Sequence, residues 1–213
     1  MLTYNRLPQF KKSFHCFLQQ DYQHKELIII NNGDEHYKKE IASIISNTNN
    51  VKHIQTAKAS IGSLRNIGLK YSKGEYIAVW DDDDISHNSR LTYCLNQCKK
   101  NNVNGITLAN NIVHMGNTFY RCNFERGLEG TMFFKHFKDI QYENISASED
   151  TLFVEEYSSK HSFKVIQNKD ILYIYVQHDT NTIPKESFKQ MVLLNCNKIL
   201  RGPPKDKALG FSC

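Results

Sequence analysis

The chain has 213 residues, of which 40% are hydrophobic, and a formal net charge of +5. This length suits one domain with a sizeable core, and the composition excludes an intrinsically disordered protein. This mildly basic net charge is compatible with an anionic ligand. No apolar run reaches the roughly 18 residues of a membrane-spanning helix. No secretory signal is visible, so we expect a cytoplasmic location and reduced cysteines.

Strands and helices alternate through the first half of the chain. Hydrophobic periodicity and turn residues predict strands at Met1–Tyr4, Glu26–Ile30, Val51–Gln55 and Tyr76–Trp80. They predict helices that begin near Pro8, contain Ile41–Ile45, and span Ser63–Tyr71 and Ser89–Lys100. This order predicts an α/β fold with a Rossmann-like, mostly parallel central sheet flanked by helices. In such sheets, ligands bind beyond the carboxyl ends of the strands.

The second half is less regular. Its apolar runs predict strands at Ile106–Val113, Thr118–Cys122 and Gly130–Phe134, and a strand pair formed by Phe163–Ile166 and Ile171–Gln177. Helices are predicted at Thr151–Ser158 and Lys185–Arg201, and a loose tail at 201–213. We see no internal repeat and no linker, so residues 1–213 are predicted to form a single domain.

Four aspartates, Asp81–Asp84, directly follow the predicted strand Tyr76–Trp80. Neighbouring carboxylates repel one another, and either bound protons or a divalent cation relieves that repulsion. The alternative without a ligand is an exposed acidic turn in front of the helix at Ser89. The sequence therefore leaves a metal site and an acidic turn open at this point.

Three known metal or nucleotide motifs do not fit this acidic run. An EF-hand loop starting at Asp81 needs Gly at its sixth position and Glu at its twelfth, where the chain has Ser86 and Thr92. The chain has no G-x-x-x-x-G-K-[ST] loop, and YNRLP stands where a dinucleotide-binding fold needs G-x-G-x-x-G. What remains is an aspartate cluster that holds a metal ion bound to the phosphates of a ligand.

Residues 1–182 carry a resemblance to the family 2 glycosyltransferases. The segments that carry it are TYNR, ELIIINNGD and IGSLRNIGLKYSKGEYIAVWDDDD, followed later by SASEDTLF and YVQHDTNT. The resemblance implies a GT-A fold with a smaller mixed sheet on the acceptor side. It implies a metal-dependent, inverting transferase that moves a sugar from a nucleotide diphosphate sugar to an acceptor hydroxyl. Residues 1–100 would then be the nucleotide-sugar-binding half, and residues 101–200 the acceptor and catalytic half.

The resemblance also implies roles for individual residues near the metal. Asp83 matches the main metal ligand of the D-x-D motif, Asp81 a direct or water-mediated helper, and His178 a third metal contact. Asp82 matches a residue that reaches the ribose hydroxyls in some alignments. A carboxylate and imidazole set of this kind suits Mn²⁺ or Mg²⁺. Asp150 matches the base that takes the proton from the acceptor hydroxyl.

The remaining donor contacts are implied at the strand ends and in one helix. The matching positions are Thr3, Tyr4, Arg6, Asn32 and Arg65. In this picture the Tyr4 ring stacks on the base, the Asn32 amide bonds to it, and Arg65 lies near the diphosphate. The family often has Asp-Asp where this chain has Asn31-Asn32. An amide can accept the uracil N–H but can also donate, and a UDP-sugar remains the favoured donor.

Three other functions are weighed against this one. A nucleic-acid-binding module has no motif here, and the acidic run would repel phosphates, so no nucleic acid partner is expected. A sugar nucleotidyltransferase, another metal-dependent nucleotide-sugar enzyme, needs a glycine-rich and basic loop that YNRLPQF does not supply. A catalytically silent sugar-binding relative stays open as an alternative. The sequence does not reveal whether the acceptor is a glycan, a protein or lipid-linked, and a homo-oligomer is left open.

Overall fold

The computed structural model describes residues 1–179, 181 and 185–200. The first half contains the four predicted strands and four predicted helices, together with one strand that was not predicted, β5. In chain order these elements are β1 (Leu2–Thr3), α1 (Leu7–Leu18), β2 (Leu27–Asn31), α2 (Glu35–Ile45), β3 (Val51–Gln55), α3 (Ile61–Tyr71), β4 (Tyr76–Ala78), β5 (Ile85–Ser86) and α4 (Arg90–Asn101). The second half contains β6 (Gly105–Met115), β7 (Thr118–Lys135), α5 (Glu149–Lys160), β8 (Phe163–Ile166), β9 (Tyr173–Gln177), α6 (Lys185–Asn195) and β10 (Cys196–Leu200). None of the helices that these residues form combines the length and apolar character needed to traverse a bilayer. The tail predicted at 201–213 lies outside the described residues.

The strands form two sheets. Strands β1, β2 and β3 make a parallel sheet in the order β1-β2-β3. A seven-stranded mixed sheet runs in the order β10-β7-β6-β9-β5, with β4 on β7 and β8 on β6. The α/β class is confirmed, but the mixed sheet is the larger of the two. The mixed sheet also includes β4, which was predicted to belong to the parallel sheet but pairs antiparallel with Phe133–Lys135 of β7. A cavity of about 340 Å³ lies between β2 and β4, lined largely by apolar side chains.

Three predictions about the second half are wrong. The two strands predicted at Thr118–Cys122 and Gly130–Phe134 are parts of one strand, β7. The predicted pair of β8 and β9 does not form, because each pairs in parallel with a different stretch of β6. The last helix ends at Asn195, and the chain continues as β10, which covers the edge of β7. In each case hydrogen bonds to a distant strand outweigh the local pattern.

Helix α1 holds the start of the acidic loop, the segment Asp81–Asp84. Its apolar face packs in the core, and the ring of Phe17 meets the Trp80 indole edge-on with centroids 6.1 Å apart. The Trp80 indole N–H donates to the carbonyl of Ser13 at 3.2 Å. The Ser13 hydroxyl in turn donates to the carbonyl of Asp81 at 2.6 Å. The aromatic packing predicted for this helix therefore positions the aspartates.

Arg90 is a buried cation beneath the acidic loop. Its side chain lies among the rings of Trp80 and Tyr173, whose centroids are 5.2 and 4.9 Å from the guanidinium carbon. It donates at 2.9 Å to the Ser86 hydroxyl and to two backbone carbonyls, those of Val79 and Gly130. One side chain therefore ties the end of β4 to β5 and β7. Sequence analysis missed it, because nothing in SRL marks this arginine as buried.

We expect Arg90→Met to lower the free energy of unfolding by about 3 kcal/mol or more. Methionine fills similar space but leaves the buried carbonyls and hydroxyl without a donor, and each unsatisfied group costs about 1–3 kcal/mol. Urea denaturation measures the change. Arg126→Met is the matched control: its exposed partner is Glu155, and an exposed ion pair of this kind contributes little to stability. A loss for Arg90→Met as small as that of the control would contradict this role.

The cysteines are mostly free thiols. Cys94, Cys98, Cys122 and Cys196 are free, as predicted, whereas Cys16 is disulfide-bonded, so the prediction of reduced cysteines is wrong for that residue. Burial raises the pKa of Cys94 to about 12 and that of Cys98 to about 11. Both thiols therefore stay protonated near neutral pH, which does not favour a thiolate metal site at this pair.

Candidate functional site

Two side chains from distant parts of the sequence, Arg6 and His178, converge on the acidic loop. Arg6, in the connection between β1 and α1, donates from Nη1 to Asp83 Oδ2 at 2.8 Å and from Nη2 to Asp82 Oδ1. His178, directly after β9, places Nε2 at 2.8 Å from the same Asp83 oxygen. Arg6 Nη1 and His178 Nε2 lie 3.5 Å apart. The structure thus brings together Arg6, Asp82, Asp83 and His178, which were each named separately as candidate site residues.

The pKa values of the Asp82 and Asp83 carboxyl groups are shifted in opposite directions. Burial raises the pKa of Asp82 to about 7, although the Arg6 charge opposes the shift. Its Oδ2 atom is buried and has no hydrogen-bond partner among the described residues. Burial would also raise the pKa of Asp83, but the hydrogen bond to His178 and the Arg6 charge outweigh it, and the net pKa is lowered. Of these two aspartates, Asp83 is therefore the better suited to remain a carboxylate.

Asp84 has a structural role that sequence analysis did not assign. It accepts hydrogen bonds from the Tyr173 hydroxyl and, at 2.8 Å, from the Val176 backbone N–H. Burial, together with the charges of Asp83 and Asp81, raises its pKa well above the ordinary value. Asp84 thereby ties the acidic loop to β9, the strand that carries His178. No sequence signal distinguishes it from its three neighbours.

Two of the three predicted metal ligands meet in the structure. Asp83 and His178 offer a carboxylate oxygen and an imidazole nitrogen close enough to contact one divalent ion. Asp81 turns instead towards Arg65, with Oδ1 at 3.4 Å from Nη2. Within residues 1–179, 181 and 185–200, no group of three or more histidine, cysteine, aspartate or glutamate side chains is arranged to hold a metal. The pair fits an ion that takes its other ligands from phosphates and water, as Mg²⁺ commonly does.

Arg65 joins the acidic loop to the segment that carries Asp150. Its Nη2 faces Asp81 and its Nε faces Glu149 Oε1, each at 3.4 Å, while the guanidinium lies 5.6 Å from the centre of the Tyr142 ring. Asp150 follows Glu149 in the first turn of α5, where its Oδ1 accepts from the Thr151 N–H at 2.8 Å. The candidate base and the candidate metal loop are therefore linked through one partly buried arginine.

The G-x-x-R-N segment of α3 holds the loop before α5. A Cβ atom added at Gly62 would come within 1.7 Å of the Glu143 carbonyl oxygen, so only glycine allows this approach. Asn66 exchanges two 2.8 Å hydrogen bonds with the backbone of Tyr142. The Ser63 hydroxyl donates to Asn144 Oδ1 at 3.0 Å. Sequence analysis associated this motif with the donor side, and the structure adds a contact that positions the Asp150 segment.

The residues predicted to hold the nucleotide base differ in exposure. Tyr4 is half exposed, and the Asn32 N–H donates to the Thr3 carbonyl at 3.3 Å, which places both at the adjacent ends of β1 and β2. Thr3 itself is buried, and its hydroxyl hydrogen-bonds the Tyr37 hydroxyl, so its side chain faces the interior. Asn31 is buried and accepts from the Gly33 N–H at 2.8 Å. Of the two asparagines, Asn32 is the more accessible to a ligand.

A second carboxyl group lies beside the candidate base. Glu129 of β7 accepts a hydrogen bond from the Thr151 hydroxyl at 3.3 Å. Burial raises the pKa of Glu129, and the charge of Asp150 adds to the shift. Sequence analysis missed Glu129, because it resembles any polar residue of an alternating strand. Asp150 therefore has two glutamates near it, Glu129 and Glu149.

Arg6 follows β1 of the parallel sheet and contacts the acidic loop, so this cluster lies at a strand end, where α/β proteins commonly bind their ligands. Residues 1–154 match Glycosyl transferase family 2, and the chain belongs to this family. An uncharacterized glycosyltransferase of Haemophilus influenzae is 33% identical over 105 residues, which are 48% of this chain and 42% of that protein. Another, of Rickettsia bellii, is 29% identical over 100 residues, which are 47% of this chain and 14% of that protein. The chain thus spans less than half the length of these relatives.

Solved structures confirm the predicted GT-A fold. Staphylococcus aureus TarS 1-349 in complex with UDP-GlcNAc superposes with a TM-score of 0.72 at 17% identity, covering 92% of this chain and 66% of that one. The mannosyltransferase PcManGT of Pyrobaculum calidifontis, in complex with GDP-Man and Mn²⁺, gives 0.64 at 12% identity, covering 89% and 57%. Because the sequence identities to both proteins are this low, the structural similarity is evidence for a shared fold only.

Proposed function

We propose that this chain is a metal-dependent, inverting glycosyltransferase domain that moves a sugar from a UDP-sugar to an acceptor hydroxyl. The observation that carries the proposal is the convergence of Arg6, Asp83 and His178 at the strand ends. Membership in Glycosyl transferase family 2 supports the same reaction. In this proposal residues 1–100 bind the donor and residues 101–200 bind the acceptor.

The donor base would lie between Tyr4 and Asn32. The half-exposed Tyr4 ring offers a face for stacking, and the Asn32 amide offers an acceptor for an imide N–H. The TarS structure holds UDP-GlcNAc, which supports a uridine donor. PcManGT holds GDP-Man, and guanosine is therefore the competing choice. We favour uridine because the fold similarity to TarS is the higher of the two.

Asp83 and His178 would hold Mn²⁺ or Mg²⁺, with Asp81 contributing directly or through water. The bound ion would neutralise the negative charge that builds on the departing diphosphate. The low pKa of Asp83 keeps its carboxylate available for this role. The buried Asp82 oxygen without a partner is a suitable acceptor for a ribose hydroxyl. Each proposed role thus follows from the environment of one aspartate.

Asp150 would act as the base. Its carboxylate takes the proton from the acceptor hydroxyl while that oxygen attacks the anomeric carbon from the face opposite the diphosphate. A single displacement of this kind inverts the anomeric configuration. The ion pair between Arg65 and Glu149 holds the start of α5 and therefore the position of Asp150.

Calorimetry with free nucleotides tests the donor side of this proposal. In the presence of Mn²⁺ we expect UDP to bind at least about tenfold more tightly than GDP, since Tyr4 and Asn32 are placed for one base and wrong-sized bases lose contacts. Excess chelator should weaken UDP binding strongly. Tighter binding of GDP would change the donor class. UDP binding that chelator leaves unchanged would contradict the metal.

A further inference from the structure

Arg6 touches the same carboxylate oxygen that a metal ion would use. Its Nη1 is 2.8 Å from Asp83 Oδ2, and this oxygen also lies 2.8 Å from His178 Nε2. Arg6 Nη1 is 3.5 Å from that imidazole nitrogen. One guanidinium thus sits against both members of the candidate metal pair.

We propose that Arg6 is the intrinsic counter-ion of Asp83 and competes with a divalent cation for that carboxylate. Metal binding at Asp83 then requires Arg6 to exchange Asp83 for the diphosphate of the donor. This inference rests on the proposed function, because it takes the metal and the nucleotide diphosphate from it. Arg6 is in this view a positioning residue that couples the two ligands.

Electrostatics argues that Arg6 and the ion cannot share Asp83 Oδ2. Two cations held within a few ångströms of each other repel strongly in a partly buried site, where screening is weak. The Asp83 side chain is 11% exposed and that of Arg6 is 25% exposed. The arginine therefore has access to solvent and can leave, while Asp83 remains enclosed.

The present contacts of Arg6 are incomplete. Its buried Nε has no hydrogen-bond partner among the described residues, and the same holds for Asp82 Oδ2. Buried polar atoms without partners cost free energy, so a ligand that satisfies them is favoured. A diphosphate meets the need of the guanidinium, because arginine binds phosphate oxygens through paired N–H donors. The exchange therefore offers the guanidinium hydrogen-bond partners that its present contacts lack.

The consequence is positive coupling between metal and nucleotide. A cation alone must displace Arg6 without offering it another partner, whereas a nucleotide diphosphate supplies that partner. Coupling of this kind is reciprocal, so each ligand raises the affinity of the other by the same factor. Removing the Arg6 charge should therefore help the metal when it binds alone and reduce the benefit that the nucleotide gives.

The experiment measures Mn²⁺ binding by the loss of the free-ion electron paramagnetic resonance signal, with and without UDP. We compare wild type, Arg6→Gln and Arg6→Lys with Lys11→Gln, which removes a positive charge from an exposed position of α1, the helix that follows Arg6. We expect Mn²⁺ alone to bind Arg6→Gln about tenfold more tightly than wild type. Arg6→Lys keeps the charge and should stay near wild type. The increase in Mn²⁺ affinity caused by UDP should be smaller in Arg6→Gln.

The outcomes separate this inference from the proposed function. If Mn²⁺ alone binds Arg6→Gln no more tightly than Lys11→Gln, the competition is refuted. If wild type shows no Mn²⁺ binding even with UDP, the metal in the proposed function is refuted. Circular dichroism and thermal melting check that Arg6→Gln is folded. Should it be unfolded, the wild type decides: Mn²⁺ affinity that UDP does not raise overturns the coupling, and a clear increase supports it.

Discussion

Asp150→Asn is expected to lower the transfer rate by about 10²-fold or more, because general-base help contributes roughly 10²–10⁴-fold. Asparagine keeps the shape of the side chain and can still accept from the Thr151 N–H, as Asp150 does at 2.8 Å. It cannot take a proton from an acceptor hydroxyl. The donor contacts at Arg6, Asp83 and His178 are untouched, so the affinity for Mn²⁺ and UDP should stay within about twofold.

The measurement is single-turnover transfer to an identified acceptor, with UDP affinity from calorimetry alongside it. Asp170→Asn, at an exposed aspartate outside the site, is the matched control and should behave as wild type. Glu129→Gln is the discriminating variant, because Glu129 also lies close to Thr151. Near-normal turnover of Asp150→Asn with a loss in Glu129→Gln would move the base to Glu129. A product that retains the anomeric configuration of the donor would refute the single displacement.

Asp83→Ala is expected to weaken Mn²⁺-dependent UDP binding by about 100-fold or more. Even residues that only support a metal ligand cost 10- to 100-fold in metal affinity when they are replaced, and Asp83 is proposed as a ligand itself. The variant also removes the shared acceptor of Arg6 and His178. Unlike Asp150→Asn, it should therefore fail at the binding step, which calorimetry detects directly.

Two further measurements test whether the loss of UDP binding in Asp83→Ala is specific to Asp83. Asp81→Ala removes a carboxylate that pairs with Arg65 at 3.4 Å and should weaken binding less, since Asp81 is proposed as a helper. Thermal melting of each variant separates lost binding from lost folding. If Asp83→Ala keeps metal-dependent UDP binding while Asp81→Ala loses it, the main ligand is Asp81. Binding that survives in both variants would contradict a metal site at the acidic loop.

Local patterns predicted the four helices and the first four strands of the first half, but not β5 or the sheet to which β4 belongs. The apolar repeat that contains Phe10 and Phe14 predicts α1, and turn residues after Ile30 end a strand that the structure ends at Asn31. The polar residues that follow these strands mark a ligand site before any contact is known, because parallel strands place their carboxyl ends together. Arg6, Asp83 and His178 were named as what the resemblance to the family implies, and the structure brings them together.

The second half shows where local patterns fail. Strands β8 and β9 have the composition of a strand pair, yet each joins a different part of β6. The residues of β10 continue the apolar pattern of the preceding helix, yet they pair with β7. In both cases the choice depends on which distant strand edge is available, and a single segment carries no information about that.

By itself, the sequence determined which kinds of side chain follow each strand, and with them the α/β class, the family and the position of the site. Only the tertiary structure decided which partner each of the four aspartates contacts. Asp82 and Asp83 bond to Arg6, Asp84 bonds to β9, and Asp81 faces Arg65. The physical reason is that four identical carboxyl groups differ only in burial and partners, and their partners come from residues that are distant in the sequence.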